Sequence, residues 1–272
     1  MGNAVAEIIF TADDFGLCTE VNEAVECAAR DGVLSAASLM VAAPAAADAI
    51  ARAKRLPQLR VGLHLTLVDG RPFLPAHEVP TLVDETGAFE TNLPKAGVRW
   101  FFLPAARRDL RKEIRAQFEA FKATGLTLDH VNAHNHMHIH PTVLDMVLEI
   151  GAGYGMKALR LPSEPPDGLL TPLVSLVRQK LTARGLRFNN RLVGLRRSGN
   201  VTEDAVLAGL ENLGTGVTEF YFHPATAATP ELEALAPGYD RTGELKALLS
   251  PTVRDRIATL GIKTKGFNDL DG

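Results

Sequence analysis

Two cysteines, Cys18 and Cys27, are all that this 272-residue chain contains. They are nine residues apart and match neither a zinc nor a redox spacing, so a disulfide framework and a cysteine metal cluster are both excluded. Two reduced thiols of a cytoplasmic protein are the expected reading. Aromatics make up 6% of the chain, with a single tryptophan. No basic run occurs, and the formal net charge is −3. Lysine and arginine are scattered among acids, which argues against a nucleic-acid partner. The N-terminus has no basic stretch followed by an apolar run, so no signal peptide is read. The most apolar stretch, 33–51, is interrupted by Pro44 and Asp48 and suits a strand and a helix better than a membrane span. Low-complexity segments and repeats are also missing.

What the chain does have is a recurring strand-then-helix pattern. Branched apolar runs at 5–11 and 33–41 read as buried strands. Helices are expected at 19–30, with Thr19 as N-cap and Gly32 as stop, and at 45–56. Residues 60–67 alternate, with Val61, Leu63, Leu65 and Leu67 on one face and Gly62, His64 and Thr66 on the other, as in a strand. A helix at 106–124 carries Leu110, Ile114, Phe118 and Phe121 on one stripe and is closed by Gly125. A strand then runs to about His134. Next come a helix from Pro141, a short strand at 158–161, a helix at 173–184, strands at 192–195 and 218–222 with a helix from Thr202 between them, a helix from Pro251, and a last strand at 264–267.

Repeated βα units imply a parallel sheet in an α/β protein. This many in one chain favour a single-domain (β/α) barrel of deformed or incomplete TIM-like form, with a doubly wound open sheet as runner-up. The chain is read as one domain, 1–272. Residues 68–104 are expected to be a long irregular insertion rich in proline, placed where barrel enzymes build substrate loops.

Histidine is the unusual residue. Five of the eight fall within 130–140: His130, His134, His136, His138 and His140. Imidazole is a common metal ligand. In an extended segment His134, His136, His138 and His140 share a face; in a helical turn His134 and His138 do. Not all can be ligands, so some serve as acids, substrate contacts or supports of the ligands. The adjacent carboxylates Asp13-Asp14 repel each other, and burying both calls for a cation or a proton. An exposed acidic turn accounts for them equally well. His64 alone fits a structural histidine as well as a ligand. Arg160, Glu219 and His223 stand at expected strand ends; an arginine there can hold a carboxylate ionised, or lie on the surface. Asp13, Asp14, His64, His134, Arg160 and His223 nonetheless fall near the C-terminal ends of five different expected strands, which is the active-site face of barrel enzymes.

Thr11-Ala12-Asp13-Asp14-Phe15-Gly16, Gly62-Leu63-His64-Leu65, the His134 cluster ending in Pro141, and Phe222-His223-Pro224 resemble, in that order, the YdjC-like carbohydrate deacetylases. The stretch 68–92 and the C-terminal half most resemble the subgroup associated with hopanoid biosynthesis. The resemblance implies a deformed barrel, one divalent metal ion, and removal of N-acetyl groups from amino sugars. It implies Asp14, His64 and His134 as metal ligands and Asp13 as catalytic base. For the subgroup it implies an N-acetylglucosaminyl hopanoid as substrate. Where many relatives read Asp-Ser-His-His-His, this chain reads Asn132-Ala133-His134-Asn135-His136.

On these grounds the expected activity is metal-dependent N-deacetylation. Asp13 acts as base, aimed by Arg160, and His223 or one of His136 and His138 protonates the leaving amine. His136, His138 and Glu219 are substrate or supporting residues. The ion is read as Zn or Mg, with Co or Ni also compatible. Residues 98–103, around Trp100, either contact an apolar substrate tail or pack under a loop or in a dimer. Peripheral membrane contact and a homodimer are open partner readings. The rivals are a soluble chitooligosaccharide deacetylase, a metal phosphoesterase or amidohydrolase, and a non-enzymatic metal- or lipid-binding protein.

Overall fold

Six short parallel strands carry the architecture: β1 (Glu7–Phe15), β2 (Ala36–Leu39), β3 (Arg60–Leu65), β4 (Val131–Ala133), β5 (Arg191–Val193) and β6 (Val217–Phe222). The computed structural model describes residues 7–270, so Val5 and Ala6 of the first expected strand lie outside it. The strand order is β4-β3-β2-β1-β6-β5. Every pairing is parallel. Followed as a ring, that order is cyclic, with no point at which the winding reverses. A doubly wound sheet would need such a reversal. Between β4 and β5 the wall is carried by single parallel bridges, Val131 to Leu159 and Ala158 to Arg187. The result is a deformed TIM-like barrel. Both faces of its strands are buried, as parallel sheets require.

The helices are α1 (Thr19–Asp31), α2 (Ala46–Ala53), α3 (Leu93–Phe102), α4 (Pro104–Ala123), α5 (Pro141–Gly153), α6 (Thr171–Ala183), α7 (Glu203–Glu211), α8 (Pro230–Leu235), α9 (Arg241–Leu249) and α10 (Pro251–Thr259). On α4, Leu110, Ile114, Phe118 and Phe121 are buried as the stripe predicts. None of the described helices is long and apolar enough to cross a membrane.

Several expectations need correction. The segment 68–104 is not irregular throughout, because it contains α3. The Asn92 side chain accepts from Lys95 N and Pro94 stands in the first turn, which is a standard start signal. Thr19 is the first residue of α1; Cys18 holds the cap position without a side-chain bond. Residues 158–161 make bridges rather than a strand, and 264–267 make one bridge, Ile8 to Thr264, before a 3-10 turn. Helices α8 and α9 were not expected. Thr229 and Asp240 cap them.

Candidate active site

Parallel strands deliver their C-terminal ends to one face. There Asp13-Asp14 and His64 lie among the last residues of β1 and β3, and His134 and His223 directly follow β4 and β6. Asp14 has φ 61°, a left-handed backbone in a non-glycine residue. It lies where the β1–β2 register shifts. The two carboxylates therefore do not simply alternate across a strand. Gly16, with φ 104°, follows. A Cβ there would lie 3.1 Å from Met40 O and 3.3 Å from Ala46 Cα. Buried Asn22 fixes this turn, accepting from Gly16 N at 2.8 Å and donating to Ala45 O at 3.0 Å and Asp48 at 2.9 Å.

Asp13 is saturated with donors. The Arg160 guanidinium grips both its oxygens, and Asn132 Nδ2 donates to Oδ1 at 3.0 Å. Arg160 is itself fully buried and also donates to Glu219 Oε1, at 2.7 and 3.0 Å. Burial alone would raise Asp13. The charge of Arg160 and its hydrogen bonds outweigh it and hold the carboxyl well below the ordinary carboxylate range.

Asp14 is different. Its Oδ1 faces two imidazole nitrogens, His134 Nδ1 at 3.2 Å and His64 Nε2 at 3.5 Å. Its Oδ2 lies 3.5 Å from Arg241. The tautomer of His64 follows from its neighbours. Asp13 only accepts, so the Asn132 end facing it is the amide NH₂, which also donates to Ser38 Oγ at 3.0 Å. Asn132 Oδ1 then accepts from His64 Nδ1–H at 2.7 Å. This leaves the His64 Nε2 lone pair pointed at a carboxylate oxygen, buried and without a hydrogen-bond partner. Two acceptors in that arrangement are unfavourable unless a metal ion or a proton lies between them. One ligand atom from each of Asp14, His64 and His134 fits within 4.8 Å of the others. A divalent ion is compatible with this donor set. Behind Asn132 a further chain fixes its pose: Asp129 Oδ2 to His130 Nδ1 at 2.9 Å, and His130 Nε2 to Ser38 Oγ at 2.9 Å.

The histidine run adopts neither geometry expected of it. It forms a 3-10 turn in which Asn135 and His136 have φ near +50°, at 52° and 54°. His134 is thereby turned to Asp14, and His136 lines the pocket. His138 is buried with its Nε2 3.0 Å from Arg160 O. Burial, then Arg160, lowers it to about 3, so it is neutral and donates to that carbonyl. His140 packs against Trp100, ring centroids 5.8 Å apart. Trp100 itself is buried, while Val98, Phe101, Phe102 and Leu103 are exposed.

The pocket over these groups has a volume of about 530 Å³. Asp13, Asp14, His64, His134, His136 and His223 line it, with Asp69, Tyr221, Tyr239 and Arg241. Burial, opposed by Asp14 and then Asp13, leaves His223 lowered to about 4, hence neutral at pH 7. Its backbone is clamped by α9: Arg241 donates to His223 O at 3.2 Å, and Glu244 accepts from His223 N. Asn135 donates to Asp69 at 2.6 Å, tying the segment after β3 to the histidine turn. Arg241, Tyr239, Asp69 and Ser38 were not singled out from the sequence, and Asn132 figured only as a departure from the family pattern. The one sequence signal at the first of these is the capping aspartate Asp240 before Arg241.

Comparison with known proteins agrees with the geometry. The model of the family described as "YdjC-like protein" matches residues 7–259. A carbohydrate deacetylase of Geobacillus stearothermophilus is 32% identical over 263 residues, covering 96% of this chain and 97% of that one. A carbohydrate deacetylase of Mus musculus is 30% identical, covering 97% and 94%. Among solved structures, one from Enterococcus faecalis, provisionally described as a cellobiose-phosphate cleavage protein, superposes with a TM-score of 0.79 at 25% identity, covering 98% and 99%.

Proposed function

The chain belongs to the YdjC-like family, and from that premise we propose that it is a metal-dependent hydrolase removing the N-acetyl group from an amino sugar. The observation that carries the reading is the unlike treatment of two adjacent aspartates: Asp14 converges with His64 and His134 on one point, with ligand atoms within 4.8 Å of one another, while Asp13 beside it is held ionised by Arg160. The similarity to carbohydrate deacetylases over nearly the whole chain supports the substrate class.

Asp14, His64 and His134 would hold the ion, which when bound acidifies a water and polarises the acetamide carbonyl. Asp13 takes the water proton. Arg160 keeps it ionised, and so able to accept a proton, through the working pH range, at the cost of some basicity. His223 starts neutral, so the proton that reaches the departing amine is the one Asp13 took from the water, handed on through His223. His136, on the pocket wall and lowered by burial and then by Arg160, would contact the substrate. His138 and Glu219 hold Arg160. The segment 68–104 serves as a substrate loop, with Asp69 presenting an acceptor to sugar hydroxyls. The products are acetate and a free amine.

A finer reading is a sugar carried on an apolar group, such as a hopanoid. Its support is that the pocket shares Leu93, Asn135 and His136 with an apolar groove beside it. The test is acetate release from N-acetylated amino sugars, soluble and lipid-linked, by protein of measured metal content. Loss of turnover on metal removal, and its return on adding one ion per chain, is the expected result. Metal-independent release, or turnover of a simple phosphoester in its place, would refute the reading.

A further inference from the structure

Eight large apolar side chains are exposed among the described residues, and six of them fall in one place: Val98, Phe101, Phe102 and Leu103 at the end of α3, and Leu169 and Leu170 before α6. Val98, Phe101, Phe102 and Leu170 line a groove of about 700 Å³. Scattered exposed apolar residues are ordinary, but a contiguous set is not. The far side of Phe101 borders a second depression lined by Arg107, Arg108, Arg111 and Asp145. Asp109 faces Arg108 and Lys112, Glu149 pairs with Arg111, and Lys180 with Asp145. Arg107, Arg108, Arg111, Lys112 and Lys180 thus stand against Asp109, Asp145 and Glu149, an excess of two positive charges. The Arg107 guanidinium lies 5.7 Å over the Phe101 ring. A cation at the edge of an exposed aromatic cluster is the arrangement of a side chain whose stem enters an apolar phase while its head stays wet.

We propose that this α3–α4 corner seats on an anionic lipid surface. The phenylalanines enter the acyl boundary, and the arginines meet the headgroup phosphates. A second copy of this chain would cover the apolar patch equally well. It would bring the same cationic edge with it, whereas an anionic bilayer neutralises that edge. The groove shares Asn135 and His136 with the catalytic pocket, so seating the patch sets the pocket mouth beside the membrane. This inference stands apart from the deacetylase reading.

The test is co-sedimentation of the full chain with vesicles of phosphatidylcholine alone and of phosphatidylcholine with phosphatidylglycerol, without substrate. Binding is expected to the mixed vesicles, and at least about tenfold more weakly to the neutral ones. Phe101→Ser with Phe102→Ser should abolish it. Arg108→Gln with Lys112→Gln should weaken it roughly fivefold per charge removed on anionic vesicles only. Both variants alter exposed residues and should still unfold cooperatively; the Arg108/Lys112 variant should keep acetate release from a soluble substrate. Absence of vesicle binding overturns the proposal and leaves the deacetylase reading untouched. A dimer that the serine variant dissolves, seen by light scattering, also overturns it. Vesicle binding in a protein that releases no acetate supports it while refuting the activity.

Discussion

Asp13 and Glu244 are both almost wholly buried carboxylates, and they lie on opposite sides of their ordinary ionisation. Asp13 is held well below the carboxylate range. Burial pushes Glu244 up to about 7, against two backbone N–H donors, His223 and Val201, and against the more distant charge of Arg241. What separates them is a guanidinium. Arg160 grips both oxygens of Asp13, while Arg241, one turn before Glu244, turns its own toward Asp14 and the His223 carbonyl. Backbone amides soften the cost of burying a carboxylate; a bidentate cation reverses it. The same difference divides Asp13 from Asp14, whose one open oxygen is left for the histidines.

The largest effects should come from testing that division directly. Asp14→Asn removes a proposed ligand charge. Metal affinity should fall by more than the about 10–100-fold typical of losing a ligand's hydrogen-bond partner, and activity should vanish with it. Asp13→Asn should keep the metal, because its contacts are with Arg160 and Asn132. Deacetylation should drop by about 10²–10⁴-fold, as for loss of a general base. Metal titration and acetate release on the same samples separate the two. Full activity in Asp13→Asn would sink the base assignment.

Arg160→Met comes next. It leaves Asp13 and Glu219 buried without their cation, which should cost about 3–5 kcal/mol in denaturant unfolding. A loss under about 1 kcal/mol would mean that the pair had already taken up a proton. Arg241→Met should be milder. It removes a 3.2 Å bond to the His223 carbonyl and a loose contact with Asp14, worth about 1.5–3 kcal/mol together. If Arg241 positions His223, kcat should fall with KM little changed, and Arg241→Lys should restore part of it. Equal loss in both variants with an unchanged kcat would leave Arg241 a purely structural residue.

How much of this was legible in the sequence follows the chemistry. Metal-binding residue types are few, so Asp13-Asp14, His64 and the histidine run announced themselves, and strand ends placed them on one face. Arg160 and Glu219 were read as strand-end charges, but Glu219 lies inside β6 and Arg160 follows two single bridges, so what was legible was the pair of charges and not their positions. Asn132 was in view but hidden, because its role is to spend its NH₂ on Asp13 and Ser38, and only three dimensions reveal that its oxygen then orients His64. Arg241 and Glu244 were missed with their helix. The inner face of α9 is Arg241, Glu244, Ala247 and Leu248, so polar residues occupy the positions where an apolar period was sought. The opposite failure concealed α3: Val98, Phe101 and Phe102 face outward while Trp100, with the small Ala96 and Gly97, faces inward, so most of its bulky apolar residues point away from the core.

The smallest predicted effect bears on Glu244 alone, and its sign distinguishes it from Asp13. A carboxyl whose folded pKa is raised stabilises the fold fully below its unfolded value, 4.5, and that stabilisation is lost as pH rises through about 7. A depressed carboxyl does the reverse: the Asp13 contribution is present above 3.8 and is lost only as the solution becomes strongly acidic. Between pH 4.5 and 7 the wild type should therefore lose stability on account of Glu244, by at most about 3 kcal/mol. Over that window Asp13 contributes a constant amount. Glu244→Gln should flatten the slope. It should also lower stability at every pH, because its amide can accept only one of the two N–H groups that the carboxylate satisfies. Denaturant unfolding of both proteins at pH 5, 6 and 7 measures the difference. Parallel curves would show that Glu244 is ionised throughout, and that two backbone donors and a distant arginine do offset its burial after all.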